Sequence, residues 1–243
     1  MFLKMKPYQN QKSSKKKQVE KMFDSISFEY DKLNRLISAG NDVKWRKNIY
    51  KIAEPLNPVN ILDIATGTAD IAIELSQIED SEIIGLDISE KMLDVGRQKV
   101  TDRNLEDKVS LISGDAEDLN FPNNSFDLIS IGFGVRNFQN LEKGLSESHR
   151  VLRDGGTLII LETSVPQNLI IKFFYLLFSR TFIPLVGSVF SKDKKAYKYL
   201  QKSAEEFPSG EKFSQILKAC GFKSVEIMPL MLGASSIYIA KKK

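Results

Sequence analysis

The residues with the most chemical content stand at the ends of three apolar runs. In the first, LDIATGTAD (Leu62 to Asp70), the run gives way to a turn at Gly67 and then to helical spacing, so that backbone N–H groups approach closely whatever the turn faces. In the second, IIGLDIS, Asp87 closes the run about twenty residues later, where a carboxylate can accept hydrogen bonds from both hydroxyls of a ribose. Ser89, just beyond, is of the type that caps a helix, here SEKMLDVGRQK. The third run ends in SGDAEDLNF, which sets Asp115 and Ala116 where a carboxylate can accept from an exocyclic amine and backbone can contact a purine ring. Together the three describe a nucleoside site. Only Gly67 is glycine, with Ala65 and Ala69 at two-residue spacing, so the G-x-G-x-x-G cradle of a pyrophosphate is missing. S-adenosylmethionine has no phosphate and needs less of that cradle, which makes it the expected methyl donor.

The elements that must position these residues follow from the pattern around them. From Val59 onward, β-branched apolar runs (VNILDIA, SEIIGLDI, KVSLIS, FDLISIGF, GTLIILE) alternate with helically spaced, charged stretches. That alternation predicts an α/β fold with a doubly wound, mainly parallel sheet. The pair FKSVEIMPL and SSIYIAKK brings the expected strand number to seven. Helices are expected from Gln18 to Ala53 with a break at Ser38-Ala39-Gly40, packed near the C-terminal edge of the first strand. A helical insertion is expected over about 168–207, interrupted around Pro184 and Gly187. Its stretch NLIIKFFYLLFSRTFIPLVGSVF has roughly the 20-residue length of a membrane span. Lys172, Arg180 and Pro184 interrupt it, so it reads as a buried helix or a lid over an apolar substrate, one that can also touch a bilayer surface.

Composition is that of an ordinary soluble domain, 42% hydrophobic and 27% charged, with no repeat or linker that would divide residues 18–243. The single cysteine, Cys220, excludes an intramolecular disulfide framework and a multi-cysteine zinc site, and the start MFLKMKPYQN has no apolar run that directs secretion. A reducing cytoplasm is expected. The net charge of +4 hides an asymmetry: Lys4, Lys6, Lys12, Lys15, Lys16 and Lys17 precede the first acid, Glu20, which leaves the remainder near −2. Residues 1–17 are therefore expected to be a basic, flexible, solvated arm.

Over nearly its whole length from Val19, the chain closely resembles the quinone C-methyltransferases of menaquinone and ubiquinone biosynthesis. The marks are MFDSISFEYDKLNRLISAGNDVKW, the LDIATGTAD turn, GDAEDLNFPNNSFDLISIGFGVRNF, SHRVLRDGGTLIILETSVP, IPLVGSVFSKDKKAYKYLQKSAEEFP and CGFKSVEI. The YDKLN and FGVRNF pieces belong to this family and not to methyltransferases in general. The resemblance implies a Rossmann-like class I S-adenosylmethionine-dependent methyltransferase fold, with Thr68, Asp87, Asp115 and Ala116 as cofactor contacts and Asp63 and Gly67 shaping the cofactor-binding turn. It implies that Tyr30, Arg136 and Asn137 face the quinol. The chain departs from the pattern at Thr66 and Ala69, where glycine is frequent, at Gly132, where serine is, and at Asp154, where proline is usual. The extra methyl of Ala69 is expected to narrow the turn.

Methyl transfer from a sulfonium needs in-line placement of a nucleophile and exclusion of water, and no metal. For a ring carbon, the reduced, hydroxylated ring must be the acceptor, because loss of a hydroxyl proton pushes electron density onto the neighbouring carbon. Arg136 can pair with the developing oxyanion, Asn137 can donate to it, and Tyr30 can bond the second ring oxygen. The one histidine, His149, falls in the helix before the fifth strand and is expected to be structural, so the general base stays open between an acid and a positioned water. The lysine- and isoleucine-rich usage hints at demethylmenaquinol as substrate over a ubiquinone precursor. A prenylated quinol implies transient contact with the membrane surface, from the cytoplasm or peripherally at the inner membrane, and the fold is compatible with a homo-oligomer. A nucleic-acid methyltransferase would carry an Asn/Asp-Pro-Pro-aromatic motif where GFGVRN stands, so no nucleic-acid partner is expected. A non-catalytic cofactor-binding subunit of an assembly is the reading from another class, and the presence of Tyr30, Arg136 and Asn137 argues against it.

Overall fold

A computed structural model describes residues 5–190 and 193–243, without the side chains of 187–190. Its centre is a seven-stranded sheet: β1 (Asn60–Ile64), β2 (Glu82–Asp87), β3 (Val109–Ser113), β4 (Phe126–Gly132), β5 (Leu152–Thr163), β6 (Ser224–Leu230) and β7 (Ser235–Lys241), in spatial order β3-β2-β1-β4-β5-β7-β6. All neighbours are parallel except β7, which runs antiparallel between β5 and β6. This is the Rossmann-like, class I methyltransferase arrangement expected from the sequence. The central strands β1 and β4 are buried on both faces from Ile61 and Phe126 onward, which is why they read as continuous apolar runs with no alternation.

The chain winds from β1 outward through β2 to β3, then returns to β4 on the other side of β1. That reversal opens a crevice at the C-terminal ends of β1 and β4, where doubly wound sheets bind ligands. One sheet face is covered by α5 (Leu141–Val151) and α8 (Glu211–Ala219), through Leu145, Phe213 and Leu217. The other face is covered by α2 (Asn41–Ala53), α3 (Asp70–Leu75) and the end of α4 (Glu90–Thr101), through Ile49, Ala72 and Val100. A separate apolar cluster joins α1 (Lys15–Ile37), α6 (Leu169–Phe190) and α7 (Lys194–Glu206), through Met22, Ile26, Val186 and Tyr197.

Two expectations need correction. Residues 1–17 are solvated only in part: Lys12 and Lys17 are exposed, but α1 starts at Lys15, capped by Ser14, and Lys15 is only 4% exposed. Gln18 templates the preceding turns, accepting from Tyr8 N (2.9 Å) and donating to the carbonyls of Gln11 (3.1 Å) and Ser13 (3.0 Å), while the Tyr8 hydroxyl donates to Asp193. Charge density alone suggested solvation, and the partners lie far along the chain, beyond the reach of any local pattern. Lys4 lies outside the described residues. The second correction concerns α6, which runs unbroken through Pro184. A proline costs a helix one backbone bond and a local clash, and packing on α1 and α7 sustains this helix in spite of it.

Candidate active site

The turn after β1 is held by hydrogen bonds beneath and beside it. Asp63, fully enclosed in β1, accepts from Ser130 Oγ on the facing strand and from Thr66 Oγ1, both at 2.6 Å. Burial pushes its carboxyl up to about 6, against the pull of those two hydroxyls. Asp63 reaches no cavity; it shapes the turn from below. Ala65, Gly67 and Ala69 all take left-handed φ values, of 55°, 56° and 64°. Alanine accepts that conformation at a cost of about 1–2 kcal/mol. The Ala69 methyl is fully buried beside Gly96 of α4, so it does not narrow the cofactor side of the turn as expected. At Gly132, Ile71 Cδ1 already fills the space a side chain would take.

Asp87 ends β2 directly opposite this turn. Its Oδ2 accepts from Gly67 N (2.8 Å) and its Oδ1 from Ser89 N (2.9 Å). Burial raises its pKa while these backbone donors hold it back, and each oxygen keeps a lone pair for a further donor. Ser89 caps α4 at Met92 N, as its position implied, and also donates to Asp24 of α1 at 2.6 Å. Thr68 gives its hydroxyl to Asp31 of α1 (2.6 Å), and Asp31 pairs with Lys99 at 2.5 Å. Helix α1 is thus strapped across the crevice by bonds to both turns.

Asp87, Gly67, Asp115, Ala116 and Asn137 all border one cleft, together with Tyr30, Phe133 and Phe138. Its lining, apolar with a few convergent polar groups, is of the kind that suits a nucleoside. Gly134 abuts Ala65 so closely that a Cβ there would lie 2.6 Å from the alanine methyl, which brings the loops after β1 and β4 together at the cleft floor. Thr68 borders a smaller neighbouring pocket with Asp31, Arg46 and Asp70. Asp115 also meets Lys16 of α1 in an ion pair, a partner that the sequence did not suggest.

A second, larger cavity lies under α6 and α7 and is lined by Tyr30, Trp45, Phe133, Arg136, Thr163, Tyr175, Phe178, Ile183, Tyr197 and Met231, among others. Tyr30 and Phe133 border both spaces and so mark where they meet. Phe133 has a left-handed φ of 54°, rare for a bulky residue. It is held there because its N–H donates to Leu161 O (2.7 Å) and its carbonyl accepts from Arg136 Nη1 (2.7 Å) and Asn137 Nδ2 (3.2 Å). Burial also raises the pKa of Tyr30, against a bond from Asn34, so its phenol stays protonated and can donate.

Arg136 is 6% exposed and pairs through Nη1 with Glu162 Oε1 at 2.7 Å. Burial opposes its charge, but the Glu162 carboxylate outweighs this and keeps the guanidinium ionised. Its Nε, Asn137 Oδ1 and the Tyr197 hydroxyl are buried atoms with no hydrogen-bond partner among the described residues, as are the Tyr199 and Ser214 hydroxyls; Asn137 borders the first cleft, and Arg136 and Tyr197 the second cavity. Buried polar groups left unpaired are costly, which makes Arg136, Asn137 and Tyr197 candidates to meet a polar ligand.

Sequence reasoning missed Glu162 and Lys15. Glu162 had a signal, an acid closing the apolar run GTLIILE; it is fully buried and also accepts from Thr163 N (2.7 Å). Lys15 had none. Its Nζ donates to the carbonyls of Arg136 (3.0 Å) and Phe138 (2.7 Å), and burial, helped by Arg136 and opposed by Glu117, pushes the ammonium down to about 8. His149 packs edge-on to Phe222, remote from both cavities, as expected.

Comparison with known proteins adds to this geometry. The ubiE/COQ5 methyltransferase family matches residues 10–242. A demethylmenaquinone methyltransferase of Bacteroides fragilis is 42% identical over 240 residues, covering 98% of each chain. That of Chlorobaculum tepidum is 39% identical and covers 92% of each, and that of Geobacillus stearothermophilus is 38% identical, covering 96% of this chain and all of its own. Among solved structures, an S-adenosylmethionine-dependent methyltransferase from Aquifex aeolicus has a TM-score of 0.59 at 17% identity, over 86% of this chain and 96% of its own. The [4+2]-cyclase SpnF has a TM-score of 0.63 at 16% identity, over 93% and 96%. At such identities these two structures speak to the fold alone.

Proposed function

Because this chain belongs to the ubiE/COQ5 methyltransferase family, we propose that it transfers a methyl group from S-adenosylmethionine to a ring carbon of demethylmenaquinol, in menaquinone biosynthesis. The observation that carries the reading is the meeting of two spaces at Tyr30 and Phe133: a cleft bordered by Asp87 and Asp115, and a larger, mostly apolar cavity into which Arg136 is set. The relatives named as demethylmenaquinone methyltransferases favour the naphthoquinol over a ubiquinone precursor.

When bound, S-adenosylmethionine supplies a methyl group already activated by its sulfonium. The residues to hold it are those of the first cleft: Asp87 for the ribose hydroxyls, Asp115 and Ala116 for the adenine, and the backbone of the Gly67 turn with Thr68 at its edge. The remaining work falls on the second cavity. Arg136, kept charged by Glu162, favours the ionised ring hydroxyl and so concentrates electron density on the adjacent carbon. Tyr30 donates to the other ring oxygen, and Asn137 fixes the ring beside it. Phe133, Trp45, Tyr175 and Phe178 of α6 and Tyr197 of α7 keep water away. The prenyl tail keeps such a substrate in the bilayer, so the enzyme works from the cytoplasm with transient contact at the membrane surface.

The test is transfer of labelled methyl from S-adenosylmethionine to a short-tail demethylmenaquinone, with and without dithionite, followed by mass spectrometry. Product is expected only from the reduced ring. Cofactor binding without transfer under either condition would contradict the assignment and favour a non-catalytic subunit.

A further inference from the structure

Helix α6 has two unlike sides. On one, Val186 packs with α1 and α7, and Ser179 and Arg180 bond Glu205 of α7, at 3.0 Å for Ser179 Oγ and for Arg180 Nη2. On the other, Leu169 is 79% exposed, Ile170 71%, Phe173 63%, Phe174 62% and Leu177 52%. Positions three and four apart on a helix share a face, so these side chains make one continuous apolar surface. Soluble proteins rarely leave such a surface bare without a use for it. By length and composition α6 is the one described helix able to cross a membrane. The strip through which it packs on α1 and α7, with Ser179 and Val186 buried, argues instead that it lies on one.

Two further features say what covers this face. Helix α6 contains no acid, and its neighbour α7 exposes Lys194, Lys195, Lys198 and Lys202, none of them ion-paired with another described residue. Lys195, Lys198 and Lys202, at spacings of three and four, form one cationic stripe. The second feature is continuity with the site. Tyr175, Phe178 and Ile183 of α6 wall the cavity assigned to the quinol, and Phe178 is itself 43% exposed. Met231 lines the same cavity and is exposed, as is Leu232 beside it on the turn between β6 and β7. The cavity therefore opens among apolar residues that are themselves bare.

We propose that the exposed face of α6, with the lysines exposed on the neighbouring helix α7 and the Met231–Leu232 turn that lines the cavity, docks the enzyme on an anionic lipid bilayer, so that a prenyl tail passes from lipid to cavity without crossing water. Apolar side chains enter the interface and the lysines hold the anionic headgroups. The inference rests on the reading of a prenylated quinol as substrate.

The test uses the full chain and flotation with vesicles of phosphatidylcholine, with and without phosphatidylglycerol. Phe173→Ser/Phe174→Ser is expected to weaken vesicle binding by at least about tenfold at low and high salt. Lys195→Glu/Lys198→Glu/Lys202→Glu is expected to do so on phosphatidylglycerol vesicles at low salt only. Both variants should keep the parent kcat on a short-tail quinol in solution, which shows that they fold, and lose turnover of a long-tail quinol embedded in vesicles. Unchanged vesicle binding by the phenylalanine variant overturns the proposal. So does a shift of that variant from dimer to monomer with binding intact, which would make the face a contact between copies. If the parent floats with vesicles yet methylates no short-tail quinol, the docking surface stands and the substrate reading fails.

Discussion

The cleft proposed for the cofactor and the cavity proposed for the quinol share Tyr30 and Phe133, yet they are assembled by different means. The cleft comes mainly from loops at the ends of four parallel strands, β1 to β4, with α1 laid across them, and its acids are fixed from the strand ends by backbone: Gly67 N and Ser89 N to Asp87, and Glu117 N to Asp115 at 2.9 Å. The cavity draws on α1, α2, α6, α7 and the turn before β7, held together by side-chain packing and by ion pairs such as Arg180 with Glu205. Strand ends fix the position of a group to within the sheet's own rigidity. Helices from distant parts of the chain fix it only as well as they pack. Arg136 is the exception on the cavity side, since Glu162, at the end of β5, ties it to the sheet.

That contrast makes Glu162 the place to break first. Glu162→Ala leaves a buried guanidinium without its counter-charge, and the expected loss is about 3–5 kcal/mol of stability, read as a fall in unfolding midpoint in urea. An unchanged midpoint would mean that Arg136 is not anchored as described. On the cleft side, Asp63 gives a pH test. Its folded pKa of about 6 is raised above the unfolded carboxylate value, so its contribution is complete below about pH 4 and is lost as pH rises through 6. The stability of the parent relative to Asp63→Asn should therefore fall between pH 4 and 7, by on the order of 3 kcal/mol. A flat or rising difference would show that the carboxyl is not held protonated by burial.

Smaller effects sharpen the comparison. Asp87→Asn should weaken S-adenosylmethionine binding by about 10- to 100-fold in titration calorimetry, the value of charge-assisted hydrogen bonds, with little change in the affinity for the quinol. Equal loss of both ligands would mean that the two spaces are one site. Smallest is Lys16→Met, which frees Asp115 from its α1 partner. Cofactor affinity is expected to rise by a few-fold at most, since the pair is part-exposed. A fall would make Lys16 a cofactor contact.

The same contrast governs how much of the molecule could be read from its sequence. Asp87, Asp115 and the Gly67 turn each sit at the end of an apolar run, where the change of period marks the strand's end, so they were placed by pattern alone. The break at Ser38–Gly40 was legible because a left-handed glycine, with φ of 79°, closes α1. Tyr30, Arg136 and Asn137 were found through family resemblance, since nothing local distinguishes a cavity arginine from a surface one. Lys15 and Lys16 were misread as solvated: their partners, Arg136, Phe138 and Asp115, lie about a hundred residues away and become neighbours only through tertiary packing. The methyl of Ala69 was misplaced for a related reason, because its direction depends on how α4 packs against the turn.

The most direct test of the account compares the parent and Arg136→Ala in a single turnover. Both are first saturated with S-adenosylmethionine, as shown by calorimetry, and then mixed with dithionite-reduced short-tail demethylmenaquinol. The account predicts cofactor affinity within a few-fold of the parent and a methyl-transfer rate lower by about 10²–10³-fold, the usual cost of losing one preorganised oxyanion partner. Parent-like transfer, or a loss of cofactor binding as large as the loss of rate, would contradict it.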